Sequence, residues 1–172
     1  MSIMGKLKVH ISNRQNTLRI AGNRLRKLLE SAAPAEWDNA ELSLVLVNGE
    51  EMRRLNKRHT GRDEETDVLA FPLADNADEL IGEIIVCTSR AVAEADARGV
   101  AVEDELALYI VHGALHLMGL DDHSPGDRRK MYARERAVLQ LAGIQDVRRS
   151  AELNGRRMTA PIPPKGRIRR TL

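Results

Sequence analysis

The sequence predicts a single α/β domain, a mixed sheet of about four strands packed with about five helices around one central buried helix. Three observations carry this. Short β-type runs and helical runs follow the order strand, helix, strand, helix, strand, strand, then helices. One helical run, 102–118, is apolar nearly all round after Glu105, as expected of a helix enclosed by its own protein. A chain of 172 residues, 42% of them apolar, is long enough to bury one sizeable core.

Residues 6–11 alternate polar and apolar side chains and read as a strand. Asn16 or Thr17 caps a helix through Ala32, with Leu18, Ala21, Leu25, Leu28 and Leu29 on one side. Residues 33–39 read as a loop. Residues 41–47 form a strand apolar on both faces toward its end, which suggests cover on both sides. Asn48-Gly49 reads as a turn, and 50–57 as a short helix. A polar stretch, 59–67, leads into the short strand 68–72, ended by Pro72; 73–79 is loop. Residues 81–88 are a strand, and Ser89 caps a helix through Arg98, closed by Gly99. After the long helix 102–118, Ser124-Pro125 opens the last one, 127–141, with Gly143 at its end.

The domain boundary falls at 145. Residues 1–145 form the globular domain, and 146–172 a basic, proline-containing tail whose composition predicts an extended or disordered segment. The tail carries eight Lys or Arg against two Asp or Glu, so of a whole-chain charge of +2 the preceding 145 residues hold −4. The body is therefore not a general nucleic-acid binder, and any grip on a polyanion falls to a local cleft or to the tail. Trp37, Phe71, Tyr109 and Tyr132 are the only aromatics, so the core is aliphatic and base-stacking platforms are not expected. The lone Cys87 excludes an intramolecular disulfide and reads as a small buried hydrophobe in a reducing compartment. No secretory signal is visible, and the most apolar segment, 106–120, is too short to span a bilayer, so a soluble, cytoplasmic protein is expected.

Three of the five histidines, His112, His116 and His123, fall within twelve residues. His112 and His116 share one helix face and can bind one metal ion. Gly119 offers a helix stop after which the chain can turn His123 back over that face. Three neutral ligands leave a fourth position open for water, the arrangement of catalytic rather than structural zinc. An isolated His-x-x-x-His is weak evidence, and a buried helix can hold two histidines by packing alone. Here, however, unpaired imidazoles on so apolar a helix would cost roughly 1–3 kcal/mol each. Asp121 and Asp122 stand ready to orient ligands. Zinc proteases place Glu directly after the first histidine; this chain has Gly113, which argues against peptide hydrolysis. No P-loop, Cys-x-x-Cys pair or nucleophile elbow is present.

The segment His112-Gly-Ala-Leu-His-Leu-Met-Gly-Leu-Asp-Asp-His123 resembles the His-Gly-x-Leu-His-Leu-x-Gly-x-Asp-His pattern of the YbeY-type metal-dependent endoribonucleases, also called rRNA maturation factors. Leu55-Asn56 followed by Thr66-Asp-Val-Leu-Ala-Phe-Pro72 is similar to that family's Leu-Asn and Thr-Asp-Val-Leu-Ser-Phe-Pro blocks. Gly82-Glu-Ile-Ile-Val86 resembles its Gly-Asp-Ile-x-Ile strand. The resemblance covers roughly residues 6–142. It implies a single-domain α/β hydrolase holding one divalent metal per chain, usually zinc, with His112, His116 and His123 as ligands. It further implies action on single-stranded rRNA in 3′-end maturation and ribosome quality control, and association with small-subunit components.

Two departures stand out. The family has ten residues from first to third histidine and this chain has eleven, because two aspartates replace one. We take His123 as the third ligand, since imidazole suits zinc, with Asp122 as the alternative oxygen donor. The family also carries an Arg before the Thr-Asp-Val-Leu block, tied to activity; the aligned position here is Thr60. Arg58 and Arg62 flank it, and either one could neutralise charge building on a phosphate, or stay a solvated loop charge. Asp67 is expected to cap or orient the loop beside the histidine helix, and Thr66 either bonds locally or touches substrate. The rival functions are a ribosome-assembly or RNA-binding factor whose metal is mainly structural, and a metal hydrolase acting on a small phosphoester.

Overall fold

The computed structural model describes residues 7–33, 39–74 and 79–144. In chain order they form β1 (Lys8–Asn13), α1 (Gly22–Ala32), β2 (Asn39–Val47), α2 (Gly49–Thr60), β3 (Val68–Pro72), β4 (Glu79–Cys87), α3 (Thr88–Arg98), α4 (Val102–Leu117) and α5 (Pro125–Leu141). The sheet order is β1-β2-β4-β3. β2 runs parallel to both β1 and β4, and β3 closes the edge antiparallel to β4, with Val68 opposite Val86. The expected mixed four-strand, five-helix α/β fold is what forms. The tail assigned to 146–172 lies outside the described residues.

The β2 sequence explains its central place. Leu42, Leu44 and Leu46 point into the larger core with α1, α4 and α5, while Val45 and Val47 point to a smaller one with Met52 and Leu55 of α2. Both faces are thus covered, which removes the polar alternation of a half-exposed strand. Cys87 lies in the smaller core, fully buried, and burial pushes its thiol up to about 11. On the other face every α4 residue from Glu105 to His116 is buried. Gly113 permits the close approach. A Cβ there would meet Ile84 Cγ2 at 2.8 Å and Val68 Cγ2 at 2.9 Å. A larger residue at this position would push α4 off the sheet.

The one buried carboxylate of that helix is paired. Glu105 takes both oxygens to Arg98 Nη1 of α3, at 2.8 and 3.0 Å, and Arg98 Nη2 reaches Glu94 at 3.2 Å. This ion pair ties α3 to the start of α4, and burial still holds the Glu105 carboxyl above its ordinary range.

Several boundaries differ from expectation: β2 begins at Asn39 and β4 at Glu79, and α3 begins at Thr88 after Cys87 and is not capped by Ser89, while three others have local reasons. α1 begins at Gly22, not near Thr17. Gln15 explains this: its Oε1 accepts from the N–H groups of Thr17 and Leu18, and its Nε2 donates to the Leu18 carbonyl. Those contacts hold 15–18 as a turn. Asn48-Gly49 is not a free turn. Asn48 Oδ1 accepts from Glu51 N and caps α2, which then runs three residues further, to Thr60, and is closed by Gly61 at φ 79°. The strand β1 is shifted two residues on, to Lys8–Asn13, where it pairs with 41–46 of β2.

Candidate metal centre

The C-terminal half of α4 builds the site. His112 and His116 lie one turn apart on a helix whose geometry stacks i and i+4 side chains. Their rings meet edge to face, with centroids 4.6 Å apart. Both side chains are fully buried.

Each ring is held by its Nδ1. His116 Nδ1 donates to the carbonyl oxygen of Leu120 at 3.0 Å. That carbonyl is presented by the helix end, where the Leu120 N–H returns to Leu115 O at 3.1 Å and Gly119 takes φ 88°. His112 Nδ1 lies 2.6 Å from Glu135 Oε1 of α5. A carbonyl and a carboxylate only accept, so each Nδ1 donates, and in a neutral ring Nε2 is then the atom left with a lone pair. The two Nε2 atoms face each other at 3.0 Å. At that distance they share either a proton or a metal cation, since two bare lone pairs would repel. Burial, then the nearby His112, keep His116 below the usual imidazole range, which leaves it neutral and able to ligate.

The third donor comes from the loop after α4. Asp122 brings its carboxylate to 3.9 Å from His112 Nε2 and 4.0 Å from His116 Nε2, with its side chain 16% exposed. His112, His116 and Asp122 offer ligand atoms all within 4.8 Å of one another. The expected His123 does not join them. Its side chain is 77% exposed and its Nδ1 sits 2.7 Å from Asp121 Oδ1. The cause is local: Asp121 Oδ1 accepts from the N–H groups of Asp122 and His123, a tight turn that aims Asp122 inward and His123 out. Arg128 of α5 secures this, donating to the carbonyl oxygens of Asp122 and His123 at 3.2 and 2.9 Å.

A signal for this was present. Asp122 stands ten residues after His112, the family's own spacing for its third ligand, so no bulge is needed if an aspartate replaces that histidine. The sequence signal of Glu135 is a carboxylate in the buried stripe Met131, Glu135, Val138, Leu139 of α5, whose other members are apolar.

The loop before β3 lies beside the pair. Asp67 is buried, and its Oδ1 accepts from Thr66 Oγ1 and Val68 N, each at 3.0 Å. Thr66 therefore bonds locally. Burial raises the Asp67 carboxyl, and the nearby His112 partly offsets this. Thr60 donates to Asn56 within α2. Arg58, in the last turn of α2, and Arg62, on the α2–β3 connection, are both exposed, and neither forms an ion pair among the described residues. A cavity of about 650 Å³ between α1, the start of α4 and the end of α5, lined by Leu28, Leu106 and Leu141, lies apart from the histidines. Among the described residues no helix is long and apolar enough to cross a membrane.

A family profile described as "Endoribonuclease YbeY" matches residues 10–143. The "Endoribonuclease YbeY" of Halorhodospira halophila is 36% identical over 129 residues, 72% of this chain and 84% of the relative. That of Halalkalibacterium halodurans is 36% identical over 149 residues, covering 78% and 90%. A Thermotoga maritima protein of known solution structure superposes with a TM-score of 0.59 at 26% identity, covering 86% of this chain and 93% of the other.

Proposed function

The chain belongs to the endoribonuclease YbeY family, and from that membership we propose a metal-dependent endoribonuclease that cleaves single-stranded rRNA in 3′-end maturation and ribosome quality control. The metal is one divalent ion per chain, zinc as the expected species, held by His112 Nε2, His116 Nε2 and a carboxylate oxygen of Asp122. The single observation behind this is the pair of facing Nε2 atoms 3.0 Å apart with a carboxylate closing the third side. Two ligands each about 2.0–2.1 Å from one zinc ion can span that separation. Two histidines and one carboxylate with an open position are a donor set of catalytic metal sites. His123 is not among the proposed ligands.

When bound, such an ion supplies Lewis-acid stabilisation of the charge that builds on a phosphodiester. The chain's own residues do the rest. Glu135 and Leu120 O keep the imidazoles turned inward, and the apolar faces of α4 and β3 exclude water from the inner side of the pair. Arg58 or Arg62, exposed at the end of α2 and just after it, neutralises phosphate charge in the role the family gives to the residue aligned with Thr60. Gly113 packs against Ile84 and Val68, so the carboxylate base of zinc proteases has no room here. The cytoplasm and small-subunit components are the proposed setting and partners.

The test is zinc content of the purified protein and His116→Ala, paired with cleavage of a single-stranded rRNA fragment. Near one zinc per chain, lost in the variant together with cleavage, supports the reading. Bound metal without cleavage in a nuclease-clean preparation points instead to an assembly factor with a structural ion.

A further inference from the structure

We propose that Glu135 is a positioning residue of this centre: its carboxylate holds the His112 imidazole in the tautomer and orientation that turn Nε2 toward the ion. This rests on the metal reading above. Glu135 reaches the site from α5, 23 residues beyond His112, and contacts Nδ1 at 2.6 Å with both side chains essentially out of water. A neutral imidazole exists in two tautomers, and only the one protonated at Nδ1 leaves Nε2 as a donor atom. An acceptor on Nδ1 selects that form, and a carboxylate there also raises the ring's basicity as a ligand.

Position argues that Glu135 is not simply a packing residue. It occupies the core stripe of α5 between Met131 and Val138, where an apolar side chain would serve packing better and a carboxylate is costly unless its hydrogen bonds are met. The two histidines are also supported unequally. His116 leans on a main-chain carbonyl that the helix end supplies whatever the side chains are. His112 has only the Glu135 side chain on its Nδ1, so its orientation depends on one residue. The same helix holds the Asp122 loop through Arg128, seven residues earlier on the same face. α5 thus bears on two of the three proposed ligands.

The experiment is a titration of Zn²⁺ against a chromophoric chelator, using full-length wild type, Glu135→Gln and Glu135→Leu, with metal-free melting curves and Co²⁺ absorption spectra in parallel. A packing role would move the melting temperature and leave affinity and spectrum alone. Loss of a positioning partner is expected to weaken zinc binding about 10–100-fold in the Leu variant, less in the Gln variant, and to change the Co²⁺ bands. An affinity within threefold of wild type in a folded Leu variant overturns the proposal, and a larger loss supports it. If the Leu variant does not fold, the near-isosteric Gln variant decides by the same threefold threshold. Wild-type protein that binds no zinc overturns the metal reading itself, a result distinct from variants that bind as wild type does.

Discussion

Arg128 Nη1 lies 3.2 Å from the carbonyl oxygen of Asp122, so the first turns of α5 grip the main chain of the residue whose side chain faces the histidines. The N-terminus of α5 is itself fixed by Ser124, whose Oγ accepts from Asp127 N at 3.1 Å. Loop and helix form one unit. Arg128→Ala should weaken zinc binding several-fold, as expected when a residue supporting a ligand is lost, yet lower the melting temperature little because its contacts lie near the surface. Chelator competition and thermal melting on the same samples check both halves.

Asp122 and His123 separate cleanly. Asp122→Ala removes a proposed ligand and should lose zinc and cleavage together. His123→Ala removes an exposed ring bonded to Asp121 and should keep metal content and cleavage within about threefold, since exposed ion pairs contribute little. Metal lost in the His123 variant and kept in the Asp122 variant would return the third ligand to the histidine.

Arg58 and Arg62 are to be told apart by function. Each is replaced by Ala, and cleavage is followed at saturating metal. The arginine that meets the phosphate should lose roughly 10²-fold or more in rate, the scale of removing one transition-state charge partner, with zinc affinity unchanged. The other should behave as wild type. If both single variants are fully active, neither arginine carries the role.

Acid should destabilise the metal-free protein. Burial keeps His116 below its ordinary value of 6.5, as does its neighbour His112, and burial with Arg58 nearby does the same for His59. Above pH 6.5 both rings are neutral in the folded and unfolded chain, so this contribution to stability is fully present. As pH falls below that value the unfolded chain takes up protons first, and stability is lost down to the depressed folded-state pKa. Urea midpoints with EDTA should fall between pH 7 and 5.5, less so in His116→Gln. A flat or rising midpoint would contradict this.

Gly113→Ala tests the packing of α4. The added methyl meets Ile84 and Val68 at under 3 Å. Overpacking costs about 1–3 kcal/mol, offset by up to about 1 kcal/mol of helix propensity, so a net loss of about 1–2 kcal/mol is expected in urea unfolding. An unchanged or increased stability would mean α4 can lift from the sheet at no cost.

The sequence by itself determined what depends on near neighbours along the chain. The four strands follow from one alternating and three short apolar runs, the enclosed helix 102–117 from a long apolar run, and the His112–His116 pair from the 3.6-residue helical turn, all set by local geometry. Three matched blocks were enough to recognise the family, because they carry residue types at set spacings. Tertiary structure alone decided what has no period. The loop after Gly119 turns Asp122 in and His123 out because Asp121 bonds two successive N–H groups and Arg128 grips the carbonyls, and one residue's rotation there exchanges one donor for another. The start of α1 was set by the Gln15 side chain in competition with a helical turn. Glu135 meets His112 only when α5 folds back onto α4, a contact that exists after packing and has no trace in the spacing between the two residues.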